Sequence, residues 1–265
     1  MARPAVVALP RVAARLARLA ARSVRDVSAV HVDQFVFGPD DAARDAHVRR
    51  WAHGMLRALA VEVVPTPAVS LPWTAAYLRR AMDGTTGRMV VSNHRSMLDI
   101  LVLLAAFGGH LLSRDDLARW PVIGRLAPYA GTLYVDRSSA ASGSAAMLAM
   151  ITRLREGRSL TVFPEGTTYP DDTVRDFHAG AFAAALRTGA PIVPVGLAYA
   201  GDHATFFREP FTAHATRLLQ APRTRVALAV GDAMPSQGTS LRALSRDAHT
   251  RVQSLVHEAR AALGG

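Results

Sequence analysis

The amino-acid sequence predicts an α/β fold in which a mixed, largely parallel sheet is flanked by helices and preceded by an amphipathic helical segment. Short aliphatic and β-branched runs alternate with longer helical patterns through most of the chain. Polar residues directly follow three of these runs, as ligand-binding residues do at the carboxyl ends of strands in open α/β sheets. The N-terminal segment instead repeats arginine and leucine at helical spacing. These observations favour one α/β domain behind a helical N-terminal region.

The N-terminal segment has the pattern of a basic amphipathic helix. At about 100° per residue, one face of this helix carries Arg11, Arg15, Arg18, Arg22 and Arg25. Another face carries Leu9, Val12, Leu16 and Leu19. We therefore expect a membrane-association segment, with its apolar face in the acyl boundary and its arginines on anionic lipid phosphates. The alternative is a helix that packs on its own domain and leaves its arginine face in water.

Secondary-structure patterns follow in order after this segment. Helices are predicted at about residues 40–60, 74–82, 96–107, 115–127, 138–156, 179–188 and 240–263. Strands are predicted at about residues 59–64, 88–92, 110–113, 132–136, 159–163, 192–199 and 225–231. The change from helix to strand divides the chain into an N-terminal helical region, residues 1–60, and a domain of residues 61–265.

The chain of 265 residues is strongly basic and lacks cysteine. Its net charge of +10 and pI near 11.2 indicate an anionic partner, such as a membrane surface, nucleic acid or a phosphate-bearing substrate. Basic and aromatic residues do not interleave, so we expect no nucleic-acid partner. The histidines lack metal-ligand spacing, which predicts no metal. No apolar run approaches the roughly 18 residues of a membrane-spanning helix.

A histidine and an aspartate follow the buried strand predicted at residues 88–92. The spacing of His94 and Asp99 lets the carboxylate accept a hydrogen bond from one imidazole nitrogen and leaves the other nitrogen to take a proton. No Gly-x-Ser-x-Gly elbow is present, so only Ser96 offers a weak attachment point for a covalent intermediate. The simpler chemistry has His94 deprotonate a hydroxyl that attacks an acyl thioester directly. Backbone N–H groups at the start of the following helix could hold the oxyanion.

Four blocks of sequence follow one another along the chain. They are Asn93–Asp99, Gly131–Arg137, Phe163–Thr167 and Ile192–Val195. The first has the form His-x4-Asp, the second Gly-x-Leu-Tyr-Val-Asp-Arg and the third Phe-Pro-Glu-Gly-Thr. In this order the blocks resemble those of the glycerolipid acyltransferase family, whose founding members acylate glycerol 3-phosphate and lysophosphatidate. The resemblance covers about residues 61–231.

The resemblance implies a role for each polar residue of these blocks. His94 is expected to be the general base and Asp99 its orienting partner. Arg137 is expected to meet a phosphate, with pairing to Asp136 or Glu165 as its structural alternative. Glu165 could instead cap the turn after its strand. Glu165 is expected to bind substrate, and so are Asn93, Gly166, Thr167 and Thr168.

The resemblance also implies the substrates and the location. The acyl donor is expected to be acyl-CoA or acyl-carrier protein, a co-substrate, and no cofactor is expected. The acceptor is expected to be a lysophospholipid, first of all 1-acyl-glycerol 3-phosphate, which gives phosphatidate. The protein is expected at the cytoplasmic face of the cell membrane, as a peripheral protein on an anionic surface.

Two positions depart from the family pattern and leave the acceptor open. Thr168 follows the third block at a position where relatives that bind glycerol phosphates commonly carry arginine, and His178 replaces the lysine of a later Phe-Lys-x-Gly element. Arg137, Arg175 or Arg95 could supply the missing charge. A Thr-Thr ending is similar to relatives that acylate other lysolipids, including lyso-ornithine lipids. A lyso-ornithine lipid acceptor and an inactive lipid-binding relative are therefore the alternatives.

Overall fold

The computed structural model describes residues 5–37, 41–66, 87–114, 133–135 and 140–264. Within these ranges, seven strands form one sheet in the order β1-β7-β6-β2-β5-β3-β4. The strands are β1 (Val61–Pro65), β2 (Met89–Ser92), β3 (His110–Arg114), β4 (Leu133–Val135), β5 (Leu160–Val162), β6 (Ile192–Ala200) and β7 (Thr224–Val230). Neighbouring strands run parallel except β6 and β7, which pair antiparallel. The mixed, largely parallel sheet predicted from the sequence is therefore confirmed.

Helices cover both faces of this sheet. They are α1 (Ala5–Phe37), α2 (Asp41–Ala58), α3 (Leu98–Phe107), α4 (Ala140–Arg155), α5 (Gly180–Thr188), α6 (Phe211–Gln220) and α7 (Leu241–Ala262), with a 3₁₀ turn at Asp202–Ala204. Successive residues of β2 point to opposite faces, because Val90 packs with α2 and α3, whereas Met89 and Val91 pack with α4, α5 and α7. Every residue of β2 is buried, as expected for a parallel sheet covered on both sides.

Most predicted elements within the described ranges are present, and their boundaries differ by a residue or two. The helix α6 is not among the predicted ones, because its threonines and flanking proline give it weak helical propensity. The helices predicted at about residues 74–82 and 115–127 lie outside the described residues. The boundary drawn at residue 60 coincides with the change from α2 to β1, whereas the core packing crosses it, since α2 and α3 share one core.

Arg15 forms hydrogen bonds from α1 to the C-terminal end of α6. The residue is 4% exposed. Its guanidinium donates, at 2.6 to 3.1 Å, to the backbone carbonyls of Leu218, Leu219, Ala221 and Pro222. Carbonyls at a helix C-terminus lack partners within the helix and carry partial negative charge, so a buried cation stabilises them. Burial, and then Arg11 and Arg18, lower the pKa of Arg15.

Arg11, Arg15 and Arg22 on the arginine face of α1 are turned towards the protein, contrary to the sequence-based expectation, whereas Arg18 and Arg25 are exposed. Arg11 donates to the carbonyl of Gln220 at 2.9 Å, and Arg22 donates to that of Arg50 at 2.9 Å. Large apolar side chains are left in water and are 50% to 92% exposed: Leu9, Leu16, Val24, Val32 and Phe35. The expectation that these arginines lie on lipid phosphates is therefore wrong for Arg15 and Arg22. No helix in the described ranges combines the length and hydropathy needed to cross a bilayer.

Candidate active site

His94 and Asp99 are hydrogen-bonded at the carboxyl end of β2. The strand ends at Ser92, and Nδ1 of His94 lies 2.8 Å from Oδ2 of Asp99, near the start of α3. The same oxygen accepts the backbone N–H groups of Arg95 at 2.6 Å and Ser96 at 2.9 Å. These two amides are occupied by Asp99, so they are not free to hold an oxyanion. The contact between histidine and aspartate inferred from their spacing is present.

Asp99 is a wholly buried carboxylate whose second oxygen contacts Tyr199. The tyrosine hydroxyl donates to Oδ1 at 2.5 Å. Burial, and then the charge of Asp99, raise the pKa of Tyr199 well above its ordinary value, so the phenol keeps its proton. His94, two backbone amides and Tyr199 give the carboxylate four donors, three at Oδ2 and one at Oδ1. The carboxylate is therefore held in one orientation.

The His94 ring is also held by the segment that follows β5. It lies against Phe163 with ring centroids 4.1 Å apart and planes inclined by 14°. The N–H of Tyr169 donates to the carbonyl of His94 at 3.1 Å. The His94 side chain is 19% exposed, while that of Asp99 is fully buried. Because Nδ1 faces Asp99, Nε2 is the nitrogen left for a substrate proton.

Glu165 is a buried acceptor for the backbone around His94. Its Oε1 accepts the His94 N–H at 2.8 Å and the Arg95 guanidinium at 3.3 Å, and its Oε2 accepts the Arg175 N–H at 2.9 Å. The Arg95 guanidinium also donates to the carbonyls of His94 and Thr173. Arg95 is 1% exposed, so it is not available to an anionic headgroup. Both carboxylate oxygens of Glu165 are thus used within the protein, on contacts other than the cap of the turn after β5 that the sequence offered as its alternative.

Arg175 lies on the same loop, and its charge is already paired. Two of its nitrogens meet the two carboxylate oxygens of Asp171 at 3.0 and 2.7 Å, and its guanidinium lies 4.8 Å over the ring of Tyr169. The hydrogen bond to Asp171 raises the pKa of Arg175 and lowers that of Asp171. Of the three arginines considered for the acceptor site, Arg95 and Arg175 are thus paired. Arg137, like its neighbour Asp136, lies outside the described residues.

The remaining residues of the third block form a tight turn after β5. Gly166 has a φ of 78°, a left-handed conformation that glycine adopts without strain. Its N–H donates to the carbonyl of Phe163 at 3.1 Å. Thr167 is exposed and Thr168 is buried, while His178 further along is exposed. The turn therefore presents Thr167 to solvent and directs Thr168 inward.

Asn93 lies behind the site rather than in it. Its amide nitrogen donates to the carbonyl of Leu197 at 2.9 Å, and its amide oxygen accepts the N–H of Leu197 at 2.8 Å. The residue is fully buried and ties the end of β2 to β6. Asn93 was expected to bind substrate, but both of its polar groups are used on backbone, so its role here is structural.

Two residues next to the histidine–aspartate pair, Tyr199 and His214, are absent from the sequence-based set. His214 is fully buried on α6, with Nε2 3.2 Å from Oγ of Ser96. Burial, and then Arg217, lower the pKa of His214 to about 4, so its ring is neutral near pH 7. The one sequence signal is that Tyr199 brings a polar group to the end of a long apolar strand. Within the described ranges, no three histidine, aspartate or glutamate side chains are grouped so as to bind a metal ion.

Comparison with known proteins identifies relatives of this chain. Residues 76–198 match the family model described as Acyltransferase. The chain is 35% identical over 171 residues to the lyso-ornithine lipid O-acyltransferase of Pseudomonas aeruginosa, covering 62% of this chain and 65% of that protein. It is 30% identical over 121 residues to the 1-acyl-sn-glycerol-3-phosphate acyltransferase of Neisseria gonorrhoeae, covering 46% of this chain and 48% of that protein. The chain thus spans between about half and two thirds of the length of these relatives.

Among solved structures, the fold is similar to that of the 1-acyl-sn-glycerophosphate (LPA) acyltransferase PlsC from Thermotoga maritima. The TM-score is 0.69 at 20% sequence identity, and the match covers 97% of this chain and 98% of that chain. At this level of identity the likeness shows a shared fold. The predicted α/β class is therefore confirmed by a solved structure as well as by the sheet topology.

Proposed function

We propose that the chain is an acyltransferase, on the match of residues 76–198 to the Acyltransferase family model, and that it transfers a fatty acyl group from an acyl thioester to the hydroxyl of a lysolipid. The proposed donor is acyl-CoA or acyl-carrier protein. The proposed acceptor is 1-acyl-glycerol 3-phosphate, which gives phosphatidate and is the substrate named for the Neisseria gonorrhoeae relative. The observation that carries the proposal is His94, held 2.8 Å from the buried Asp99 at the end of a central strand.

In the proposed reaction, Nε2 of His94 takes the proton of the acceptor hydroxyl as the hydroxyl oxygen attacks the thioester carbonyl. Asp99 accepts from Nδ1–H, which keeps Nε2 basic and stabilises the imidazolium that forms. The tetrahedral intermediate collapses with cleavage of the C–S bond, and the leaving thiolate takes the proton back from Nε2. The products are an ester and a free thiol. Ser96 is fully buried, which argues against an acyl-enzyme at its hydroxyl.

Lyso-ornithine lipid is the second acceptor candidate, and the charges of the site favour it. Arg95 is buried against Glu165, and Arg175 is paired with Asp171. Thr168 stands where a further arginine would meet a phosphate in the family pattern. These contacts offer a phosphate monoester less positive charge than unpaired arginines would. The relative in Pseudomonas aeruginosa is named for this acceptor.

A competition assay tests the reaction and separates the two acceptors. Purified protein receives a labelled acyl thioester with equal concentrations of 1-acyl-glycerol 3-phosphate and lyso-ornithine lipid, and the lipid products are separated by chromatography. We expect ester formation on at least one acceptor and a loss of about 10³-fold or more in His94→Ala. Turnover at the wild-type rate by His94→Ala would overturn the mechanism. Folded wild-type protein that forms neither product would leave the inactive lipid-binding relative as the remaining alternative.

We also propose that the protein works as a peripheral protein on the anionic cytoplasmic face of the cell membrane, with α1 as the contact. The net charge of +10 supports attraction to such a surface. The exposed apolar side chains of α1 support insertion into the acyl boundary. Because Arg15 and Arg22 are used by the protein itself, the apolar side chains rather than most arginines would supply the contact.

A further inference from the structure

A row of polar side chains continues behind Asp99. Tyr199 donates to Oδ1 of Asp99 at 2.5 Å, and the backbone N–H of Ser96 donates to Oδ2 of Asp99 at 2.9 Å. Nε2 of His214 lies 3.2 Å from Oγ of Ser96, and Nη2 of Arg217 lies 3.3 Å from Nδ1 of His214. Tyr199, Ser96 and His214 are each at most 3% exposed. We call these four residues, from Arg217 to Tyr199, the polar row.

One direction in the polar row follows from a group that can only accept. An ionised carboxylate only accepts, so Tyr199 donates to Asp99. Arg217 does not fix the tautomer of His214, because the two hydrogens of its Nη2 have closer acceptors in the carbonyl of Thr205 at 2.8 Å and Oε1 of Glu209 at 2.6 Å. Nε2 of His214 and the Ser96 hydroxyl are hydrogen-bonded in either tautomer, because the hydroxyl can donate or accept.

This arrangement has a consequence for the charge on Asp99. Hydrogen bonds that are linked in a chain through a buried site polarise and strengthen one another. A wholly buried carboxylate depends on such donors to remain ionised. With Oδ1 held by Tyr199, the carboxylate cannot rotate, and it presents Oδ2 to His94.

Ser96, His214 and Glu209 also have the composition of a serine triad, but they are not placed to act as one. Ser96 has no exposed surface, so a substrate carbonyl cannot reach its hydroxyl. Both carboxylate oxygens of Glu209 accept from the Arg217 guanidinium, and Glu209 lies 3.8 Å from Nδ1 of His214. The polar row is thus a support for Asp99 rather than a second active site.

We propose that Tyr199 and His214 are positioning residues that hold Asp99 in the orientation in which it makes His94 an effective base. Tyr199 acts on Asp99 directly, and His214 acts through Ser96. Neither residue touches the reacting atoms. The inference rests on the proposed function, because it takes His94 to be the base.

Tyr199→Phe tests the first residue, since it keeps the ring and removes the hydroxyl. We expect kcat to fall about tenfold to hundredfold with KM within about twofold, because the substrate contacts are unaltered. Loss of a donor makes Asp99 more basic and favours the protonated form of His94. The acid limb of the kcat/KM profile should therefore move up by about 0.5 to 1 pH unit. The other charged groups around the pair, which this variant leaves in place, are Arg95, Glu165, Glu209 and Arg217.

His214 is tested by two substitutions that differ in one hydrogen-bonding group. His214→Gln can still form a hydrogen bond with Ser96 through its amide, whereas His214→Met cannot. We expect His214→Gln to keep the acid limb in place and His214→Met to move it. His203→Gln is the matched control, because His203 is a partly buried histidine that bonds to Thr224 at 3.0 Å, outside the polar row. A merely structural role would lower the melting temperature of both His214 variants and leave the limb unmoved.

A second readout needs no turnover. In histidine-labelled protein, NMR follows the pH at which the His94 ring signals change. If wild-type protein transfers no acyl group, the proposed function is wrong. If Tyr199→Phe nevertheless raises the pH at which the His94 signals change, the positioning role is retained. Active wild-type protein with an unchanged acid limb, kcat and NMR response in Tyr199→Phe would overturn the positioning role and keep the function.

Discussion

Asp99 uses a single oxygen, Oδ2, to accept both from the His94 ring at 2.8 Å and from two backbone amides. An amide side chain offers one acceptor oxygen and one donor nitrogen. In Asp99→Asn, either Tyr199 or the group formed by the His94 ring and the two backbone amides therefore loses its acceptor. We expect kcat to fall about 10³-fold or more with a smaller change in KM, as measured by steady-state kinetics with one fixed acceptor.

The matched control for this substitution is Asp247→Asn. Asp247 is exposed on α7 and bonds to its neighbour Arg246 at 3.2 Å. Its removal should leave kcat within about twofold of the wild-type value. Wild-type turnover in Asp99→Asn would contradict the orienting role, and an equal loss in both variants would point to net charge instead.

Glu165→Ala should destabilise the fold, because it leaves the buried guanidinium of Arg95 without its carboxylate. Removing one partner of a buried ion pair costs about 3 kcal/mol in the free energy of unfolding. The backbone N–H groups of His94 and Arg175 lose their acceptor as well. Urea unfolding followed by circular dichroism measures the loss.

An exposed ion pair provides the comparison for Glu165. Glu156→Ala breaks the ion pair between Arg153 and Glu156, whose side chains are 40% and 41% exposed respectively. The substitution should change the free energy of unfolding by less than about 0.5 kcal/mol. Glu165→Gln should fall between the two alanine variants, because its amide oxygen can still accept one N–H. If Glu165→Ala keeps wild-type stability but abolishes turnover, Glu165 acts on the substrate rather than on the loop.

The features that the sequence predicts are those determined by short stretches of chain. His94 and Asp99 are brought together by a strand, a turn and the start of a helix, without help from distant residues. The strands and most helices are predicted for the same reason, since each has its own hydrophobic period. Local sequence therefore suffices for the sheet and for the histidine–aspartate pair.

Contacts between distant segments leave no such local pattern. Tyr199 reaches Asp99 from 100 residues away, and His214 reaches Ser96 from 118 residues away. Asn93 is a residue type that often binds substrate, but the pairing of β2 with β6 brings its side-chain amide to the backbone of Leu197. The arginine face of α1 has the same sequence whether it meets lipid phosphates or the carbonyls of α6. Only tertiary structure decides between these outcomes.

The buried His110 should make the fold less stable in acid. It is 1% exposed, and burial, followed by Arg44 and Arg153, lowers its pKa to about 4. An unfolded histidine titrates near pH 6.5. Between about pH 6.5 and 4 the unfolded chain therefore binds a proton that the folded protein does not, so stability falls as the pH is lowered through this window. The lowered pKa of His110 should decrease the free energy of unfolding by about 3 kcal/mol at pH 4 relative to neutral pH.

His110→Gln should reduce that acid loss by about 2 to 3 kcal/mol between pH 7 and pH 4. Urea unfolding at the two pH values measures the difference. His214, whose pKa is also lowered to about 4, should leave a second contribution of the same sign in this variant. The control is His257→Gln, because His257 is exposed on α7. The same acid loss in His110→Gln as in wild-type protein would contradict the assignment.

The exposed apolar side of α1 should determine how tightly the protein binds membranes. Leu16 is 50% exposed, and burying a leucine side chain is worth about 2 kcal/mol. We expect Leu16→Ser to weaken cosedimentation with both neutral and anionic vesicles about tenfold or more. The matched control is Leu148→Ser, because Leu148 is 63% exposed on a different helix, α4.

Point substitutions test the α1 contact better than removal of the N-terminal segment does. Deleting the residues up to Arg25 would also remove Arg15, which donates to four carbonyls at the end of α6, so the deletion would disturb the fold as well as the contact. Arg25→Gln changes a side chain that is 66% exposed. It should weaken binding to anionic vesicles by less than about tenfold and leave binding to neutral vesicles unchanged, because it removes charge without apolar surface. Equal weakening by Leu16→Ser and Leu148→Ser, or none by either, would show that the membrane contact is not on α1.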